Sequence, residues 1–296
     1  MEERADGVSV EGISMHVRMT KYLLVATLLA ALSVAAQEDQ ASLDAQEEQV
    51  SRLITVFNTY LRGDFGVAAG GLRVLARDGD PFAQALLGDM YAEGKGVRQD
   101  YAEAAKWYRK SAEGGHYYGQ RELAEAYFSG QGVPKDPIES LKWNRIAAEQ
   151  GDEVSQFRVG MQYKEGNGVR QNYTEAAKWF AMAAERGHPR AQFHLGMAYY
   201  ERLGVSQDYV AAAALIRKAA EQGVLEAQGA LADLYYLGEG VPPDYIAAYA
   251  WAQVATARGN KAAKQVRDRV ASQMTLDQLE AAEELAAEQI EKYGSE

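Results

Sequence analysis

Apolar and small side chains recur at helical spacing along the middle of the chain. The first stripe has the spacing i, i+3, i+4, i+7 of one helical face and consists of Gln84, Leu87, Gly88 and Tyr91. The second stripe follows downstream and consists of Ala104, Trp107, Tyr108 and Ala112. The pattern predicts two amphipathic helices, helix A and helix B, whose stripes form a common core.

The two stripes return every 36 residues. Five segments of equal length align without a gap, at residues 80–115, 116–151, 152–187, 188–223 and 224–259. The tryptophan of helix B recurs as Trp143, Trp179 and Trp251, and Leu215 replaces it in the fourth segment. A fixed period of this length is typical of a solenoid, in which each unit needs its neighbours to bury its apolar face.

A glycine-containing loop joins helix A to helix B. Its first copy, GKGVRQD at residues 94–100, has some likeness to a phosphate-binding loop. Such a loop requires its lysine, whereas the residue between the two glycines changes in every copy: Lys95, Gln131, Asn167, Leu203 and Glu239. The loop is therefore predicted to be a turn. Arg202 replaces the first glycine of the fourth copy, so we expect that loop to have a different shape.

The same loop predicts where the helices begin and end. The glycines at 94, 130, 166 and 238 suit the left-handed conformation that ends helix A. An aspartate or asparagine precedes each helix B as its N-cap: Asp100, Asp136, Asn172, Asp208 and Asp244. Glutamates lie three residues further on in the first three repeats, at Glu103, Glu139 and Glu175. That spacing predicts a capping box.

The pattern LG..Y..G.GV..D...A..W...AA..G over residues 80–259 resembles the Sel-one-like repeat family, a 36-residue relative of the tetratricopeptide repeat. The resemblance covers about three-fifths of the chain. It implies an all-α fold, namely a right-handed α-solenoid of antiparallel helix pairs. It also implies protein–protein contact, with helix A on the concave surface. It implies neither catalysis nor a particular partner.

The segments on either side of the repeats are predicted to be caps. Residues 50–79 look like a degenerate N-terminal repeat with a shortened loop. Residues 260–296 look like two C-terminal capping helices, the second of which begins with Thr275 and Gln278 as a capping box. Terminal units with a polar outer face keep repeat arrays soluble. Residues 37–49 hold five acids and no base and are predicted to be an acidic linker.

The N-terminus has the pattern of a secretory leader. Lys21 precedes an apolar stretch from Tyr22 to Ala36 that ends in small residues, which is the layout of a bacterial-type signal peptide. We expect translation to begin at Met19, residues 1–36 to be absent from the mature chain, and the protein to be periplasmic or secreted. The apolar stretch is shorter than the roughly 20 residues of a membrane span, so no transmembrane segment is expected in the mature chain.

Composition and charge exclude several classes of function. The net charge is −11, but the excess of acidic over basic side chains lies at the two ends of the chain. Residues 50–274 hold 27 basic and 26 acidic side chains. That balance argues against a nucleic-acid partner. The chain has no cysteine and four histidines, and it contains no H-E-x-x-H or G-x-S-x-G motif. We therefore predict no enzyme activity, no cofactor and no metal.

The side chains that differ between repeats indicate where a partner binds. The face of helix A opposite the core stripe would line a groove of mixed charge with an apolar middle, which suits peptide recognition. The candidate residues are Phe82, Tyr118, Glu122, Glu125, Val154, Arg158, Met161, Arg190, His194 and Met197. The predicted function is that of a non-catalytic scaffold that binds a protein or peptide in the cell envelope.

Other interpretations stay open. An envelope factor that binds peptidoglycan or an exported polysaccharide would stack aromatic rings on sugars, through Tyr118, Phe128, Tyr200 and Tyr236. An enzyme whose site follows no recognised motif is a third class. For the groove itself, the alternative is an ordinary solvated face that serves only to pack one repeat against the next.

Overall fold

The computed structural model describes residues 40–294, which contain fourteen α-helices and no strand. The predicted leader, the start at Met19 and the first residues of the acidic linker lie outside the described residues. The chain divides into two compact units between Ala68 and Ala69. Within residues 40–294, no helix combines the length and the apolarity needed to cross a membrane.

Two helices precede the repeats, α1 (Gln40–Leu61) and α2 (Phe65–Arg77). Because α1 includes residues 40–49, that part of the predicted acidic linker is helical. Those residues contain neither proline nor glycine, and glutamine, alanine, leucine and glutamate all favour helix. The helix therefore continues through the acidic segment.

Each repeat forms one helix A and one helix B of 13 residues. The A helices are α3 (Pro81–Glu93), α5 (Tyr117–Ser129), α7 (Glu153–Glu165), α9 (Pro189–Glu201) and α11 (Leu225–Leu237). The B helices are α4 (Tyr101–Glu113), α6 (Pro137–Glu149), α8 (Tyr173–Glu185), α10 (Tyr209–Glu221) and α12 (Tyr245–Ala257). Two more helices follow, α13 (Lys261–Ala271) and α14 (Leu276–Tyr293). The predicted all-α solenoid with flanking helices is confirmed.

Helix A ends in the same way in all five repeats. Four of the terminating residues are glycines with φ between 71° and 79°: Gly94, Gly130, Gly166 and Gly238. Arg202 adopts the same left-handed conformation, with φ 61° and ψ 37°, so the expectation of a different fourth loop is wrong. Hydrogen bonds hold both ends of that loop, from the N–H of Leu203 to the Ala198 carbonyl and from the N–H of Asp208 to the Tyr199 carbonyl. The equivalent bonds occur in the other repeats, and they impose the conformation on the arginine.

Each helix B begins at its predicted N-cap. The side chains of Asp100, Asp136, Asn172, Asp208 and Asp244 accept hydrogen bonds from backbone N–H groups of the first turn. The predicted capping box is not formed, because the N–H of Asp100 donates to the Tyr91 carbonyl at 2.8 Å. Glu103 instead pairs with Lys106 at 2.5 Å. The corresponding glutamates of the next two repeats also pair with lysines.

Helix A packs closely on helix B because a glycine faces a large side chain. A β-carbon on Gly88 would lie 2.5 Å from the Tyr108 ring, and one on Gly160 would lie 2.6 Å from the Phe180 ring. Tyr108 and Phe180 are buried, which confirms the predicted core at this position. The position that directly precedes Tyr108 holds a tryptophan in each of the first three repeats. These three tryptophans are only half-buried: Trp107, Trp143 and Trp179. Trp251 is 5% exposed, so it alone among the four tryptophans is fully part of the core.

The hydrophobic core lies between repeats. One cluster joins Tyr108 and Ala112 of α4 to Leu123 of α5. The next joins Leu141 of α6 to Val159 of α7. Each cluster therefore combines helix B of one repeat with helix A of the following one. A single repeat cannot bury its apolar surface without a neighbour.

A hydrogen bond and a close approach of two backbone segments also join successive repeats. The first is a hydrogen bond of 3.0 to 3.4 Å, donated by a buried glutamine of helix A to a carbonyl oxygen of the preceding helix B. The glutamines are Gln84, Gln120, Gln156, Gln192 and Gln228. The second contact involves the loop glycine. A β-carbon on Gly132 would lie 1.9 Å from the carbonyl oxygen of Tyr101, at the start of the preceding helix B.

The helices next to the repeats continue this packing. The Gln84 amide donates to the Ala76 carbonyl of α2, so α2 takes the place of a helix B before the first repeat. At the other end, α13 packs on α11 and α12 as a following helix A would. The last helix, α14, packs along α12, where Tyr293 stacks on Trp251 at 5.3 Å. The predicted capping box at the start of α14 is confirmed.

We expect Gly132→Ala to destabilise the chain more than Gly115→Ala does. Both glycines have a positive φ, 77° and 85°, so each alanine introduces about 1 kcal/mol of left-handed strain. At Gly115 the new β-carbon meets nothing within 4 Å, whereas at Gly132 it meets backbone. That collision adds about 1–3 kcal/mol. Urea unfolding followed by circular dichroism measures the difference, and equal losses in the two variants would contradict it.

Candidate functional site

The ten predicted binding residues lie on four neighbouring A helices. They are Phe82 on α3, then Tyr118, Glu122 and Glu125 on α5, then Val154, Arg158 and Met161 on α7, then Arg190, His194 and Met197 on α9. We call these ten residues the helix-A face. All are half-buried except Arg190, which is exposed. Among the A helices, α3 and α5 contact each other, and α13 contacts α11 in a similar way.

A half-buried carboxylate lies between the first two repeats. Asp89 accepts hydrogen bonds from the hydroxyl of Tyr108 at 2.8 Å and from the hydroxyl of Tyr118 at 2.9 Å. Burial raises the pKa of Asp89 to about 8, and the nearby charge of Glu122 adds to the rise. Tyr118, predicted as a binding residue, therefore also joins α5 to α3.

A buried arginine continues this network into the third repeat. Arg121 pairs with Glu122 at 3.0 Å and with Asp152 at 3.1 Å, and its guanidinium lies 4.6 Å from the centre of the Tyr118 ring. Although burial opposes it, the two carboxylates raise the pKa of Arg121 above its ordinary value. Sequence reasoning missed this residue. The available signal was that the equivalent position in the other four repeats holds an apolar residue or glycine: Ala85, Phe157, Phe193 and Gly229.

A second ion pair joins the same two repeats. Arg158 of α7 lies 3.1 Å from Glu125 of α5. Glu122 and Glu125, like Arg158, were predicted as partner-binding charges, and the structure pairs all three within the chain. Their charge is therefore largely neutralised before any partner arrives.

The third and fourth repeats meet in a stack of aromatic rings. The Phe157 ring centre lies 4.6 Å from His188 and 5.7 Å from His194, and His194 lies 5.3 Å from Phe180. Burial lowers the pKa of both histidines to about 4, and neighbouring cations add to the effect. The Nδ1 atom of His188 accepts a hydrogen bond from the N–H of Ala191 and so caps α9. Both imidazole rings are neutral at pH 7.

The predicted apolar middle of the face packs on the core. Met161 contacts the cluster that contains Phe180 and Leu195, and Met197 contacts the cluster that contains Ile216 and Leu231. The two methionines are only partly buried there, so each offers part of its surface to solvent. The face therefore combines internally paired charges with an accessible apolar strip.

The model of the Sel1 repeat family matches five consecutive segments of the chain, at residues 81–116, 118–152, 154–188, 189–224 and 225–260. The chain belongs to the Sel1 repeat family. Sel1 repeat proteins generally mediate protein–protein interaction, and the family consists of non-catalytic repeat scaffolds. No curated protein matches the chain.

Two solved structures are similar to this Sel1 repeat protein. A Sel1 repeat protein from Oxalobacter formigenes is 35% identical, with a TM-score of 0.67, over 72% of this chain and 88% of that one. The protein c5321, a protective antigen present in uropathogenic Escherichia coli strains, is 32% identical with a TM-score of 0.58. That match covers 85% of this chain and 62% of c5321, so the Sel1 chain spans less than two thirds of c5321.

The aromatic residues considered for sugar binding lie in separate places. Tyr200 pairs with Tyr209 at 5.3 Å between ring centres, and Tyr236 pairs with Tyr245 at 5.8 Å. Phe128 is exposed at the end of α5. The structure thus gives two tyrosine pairs in the fourth and fifth repeats.

The part of the chain that the structure describes contains no set of side chains that could bind a metal ion. Among residues 40–294, no three histidine, aspartate or glutamate side chains lie together in a way that could hold an ion. Asp89 and His194, two half-buried groups with displaced pKa values, lie at junctions between repeats.

We expect Asp89→Asn to remove a pH dependence of stability. The pKa of Asp89 is about 8 in the folded chain and 3.8 is its ordinary value, so the folded state keeps a proton that the unfolded state releases between these limits. The contribution of Asp89 to stability should therefore fall as pH rises from about 4 to about 8. His188 and His194 have the opposite pH dependence below pH 6.5, so the effect of Asp89 is the difference between two chains. Each pKa unit corresponds to about 1.4 kcal/mol, so we expect the parent chain to lose at least about 2 kcal/mol relative to Asp89→Asn between pH 5 and pH 8.

The measurement is urea unfolding at pH 5 and pH 8 for the parent, for Asp89→Asn and for the control Asp78→Asn. Asp78 is exposed at the end of α2, so its variant should keep the pH dependence of the parent. If Asp89→Asn kept it as well, Asp89 would not be the responsible group.

Proposed function

We propose that this Sel1 repeat protein is an exported, non-catalytic scaffold that binds a protein or peptide along the helix-A face. The observation that carries this proposal is the contrast between two sets of side chains. The hydrogen bond that joins each helix A to the preceding helix uses a buried glutamine that recurs in all five repeats. The helix-A face changes in each repeat, which is the arrangement of a surface adapted to one partner.

The chemistry of the face favours apolar recognition. Val154, Met161 and Met197 are half-buried and lie on consecutive A helices. Methionine is unbranched and adapts to irregular surfaces, and an amphipathic helix or an extended segment could lay an apolar side along such a strip. The paired charges at Arg158 and Glu125 would border the strip and set the position of the partner more than the strength of binding.

Export is supported by the leader pattern at residues 19–39. We expect the mature chain to begin at Gln37 and to accumulate in the periplasm or the medium. Intact-mass measurement of the protein from fractionated cells tests both points. A cytoplasmic protein that retains residues 1–36 would contradict the proposal of export and leave the binding surface unaffected.

We expect a photocrosslinking side chain at Val154 or Met161 to capture one discrete protein partner in the producing cells. Both positions lie on the helix-A face. The matched control is the same side chain at Met182, which is 40% exposed on α8 in the same repeat. Adducts are resolved by gel electrophoresis and identified by mass spectrometry.

An adduct at Met182 that equals those at the helix-A positions would refute the assignment of the surface.

A second candidate function, binding of an envelope polysaccharide, rests on the tyrosine pairs at Tyr200 and Tyr236. It would be favoured by retention of the protein on peptidoglycan, lost in Tyr236→Ala, together with no protein adduct at any position.

A further inference from the structure

Lys164 differs from the other cations that the A helices direct at a neighbouring repeat. Arg121 pairs with two carboxylates and Arg158 with one. The ammonium of Lys164 lies 3.3 Å from Nδ1 of His194, and no carboxylate among the described residues forms an ion pair with it. Lys164 is half-buried at the end of α7.

The histidine cannot balance this charge. Burial, together with the nearby Lys164, Arg190 and His188, lowers the pKa of His194 to about 4. At neutral pH, His194 is therefore an uncharged acceptor for the lysine. Lys164 is therefore the charged member of this hydrogen-bonded pair, and Glu201 borders the same space without an ion pair to it.

A small cavity of about 40 Å³ opens beside these two groups. Its walls include the side chains of Phe180, Met197 and Leu203 as well as Lys164 and His194. The volume suffices for one polar group of the size of a water molecule or a carboxylate. An apolar side chain attached to that group would lie outside this volume, against the solvent-accessible part of Met197.

We propose that the cavity between α7 and α9 binds a carboxylate of the partner, together with the apolar side chain next to it. The inference rests on the proposed function and specifies what part of the partner the helix-A face recognises. Lys164 would donate to the carboxylate, and Met197 with Phe180 would contact the side chain. A phosphate fits less well, because it carries up to two negative charges that only one ammonium faces, beside the carboxylate of Glu201.

The test uses N-acetylmethionine as the probe and N-acetylmethionine amide, which lacks the negative charge, as its control. The full chain carries ¹³C-methyl methionine, and the Met197 signal is assigned by its loss in Met197→Leu. We expect the acid to shift this signal saturably in the millimolar range. The amide should bind about tenfold or more weakly, the loss expected for one charge-assisted hydrogen bond.

Lys164→Met should abolish the difference between the acid and the amide, and Lys164→Arg should retain it. The matched control is Lys178→Met, because Lys178 is exposed and paired with Glu175 on α8. Circular dichroism shows whether each variant is folded. If Lys164→Met does not fold, Lys164→Arg and the comparison of acid with amide still decide the result.

Equal shifts with the acid and the amide, or no saturable shift, would overturn the inference. Stronger binding of inorganic phosphate would overturn the assignment to a carboxylate. Protein adducts at Val154 and Met161 without any preference for the acid would leave the proposed function standing and refute the cavity. Binding of the acid without any protein adduct would refute the proposed function and replace the partner by a small carboxylate.

Discussion

In every repeat, a glutamine of helix A buries its amide against the preceding helix B and donates to a main-chain carbonyl oxygen eight residues upstream. A buried amide without a partner costs about 1–3 kcal/mol, so close packing of the two helices requires this bond. The bond relates the first turn of helix A to the last turn of helix B. The step from one repeat to the next is thereby set by the same geometry throughout the array, whatever the remaining side chains are.

This constraint explains why the helix-A face can vary. The glutamines, the loop glycines and the small residues between helices satisfy the requirements of stacking. The network around Asp89 and Arg121 adds a junction that is specific to the first three repeats. In such buried ion pairs, the attraction between the charges only offsets the cost of removing them from water, so the pairs add little net stability. Their main effect is that removal of one member leaves the other buried and unpaired.

The elements were predictable from the sequence because their signals are local. The N-caps such as Asp100, the left-handed glycines and the 36-residue period each act within one turn or one repeat. Arg202 was not predictable in this way, since hydrogen bonds at both ends of its loop impose its conformation. The choice of Tyr108 over Trp107 for the core depends on the angle between helices, which spacing does not specify.

The candidate site was predictable only in outline. Periodicity placed the ten residues on one side of the A helices, and all ten lie within α3, α5, α7 and α9. It could not show that Tyr118 binds Asp89 or that Arg121 turns inward, because both contacts depend on side chains of a neighbouring repeat. The hydrogen bond between Lys164 and His194 likewise depends on side chains of two neighbouring repeats.

The position of α14 bears on how such a chain evolves. Duplication or loss of a 36-residue unit in the interior would join one helix B to another helix A through the same glutamine bond. The final repeat is different, since α14 lies along α12 and Tyr293 stacks on Trp251. Recombination that inserted a unit between α12 and α14 would separate these partners. The last repeat, α13 and α14 should therefore be inherited together as one cassette, while the number of units upstream is free to change between lineages.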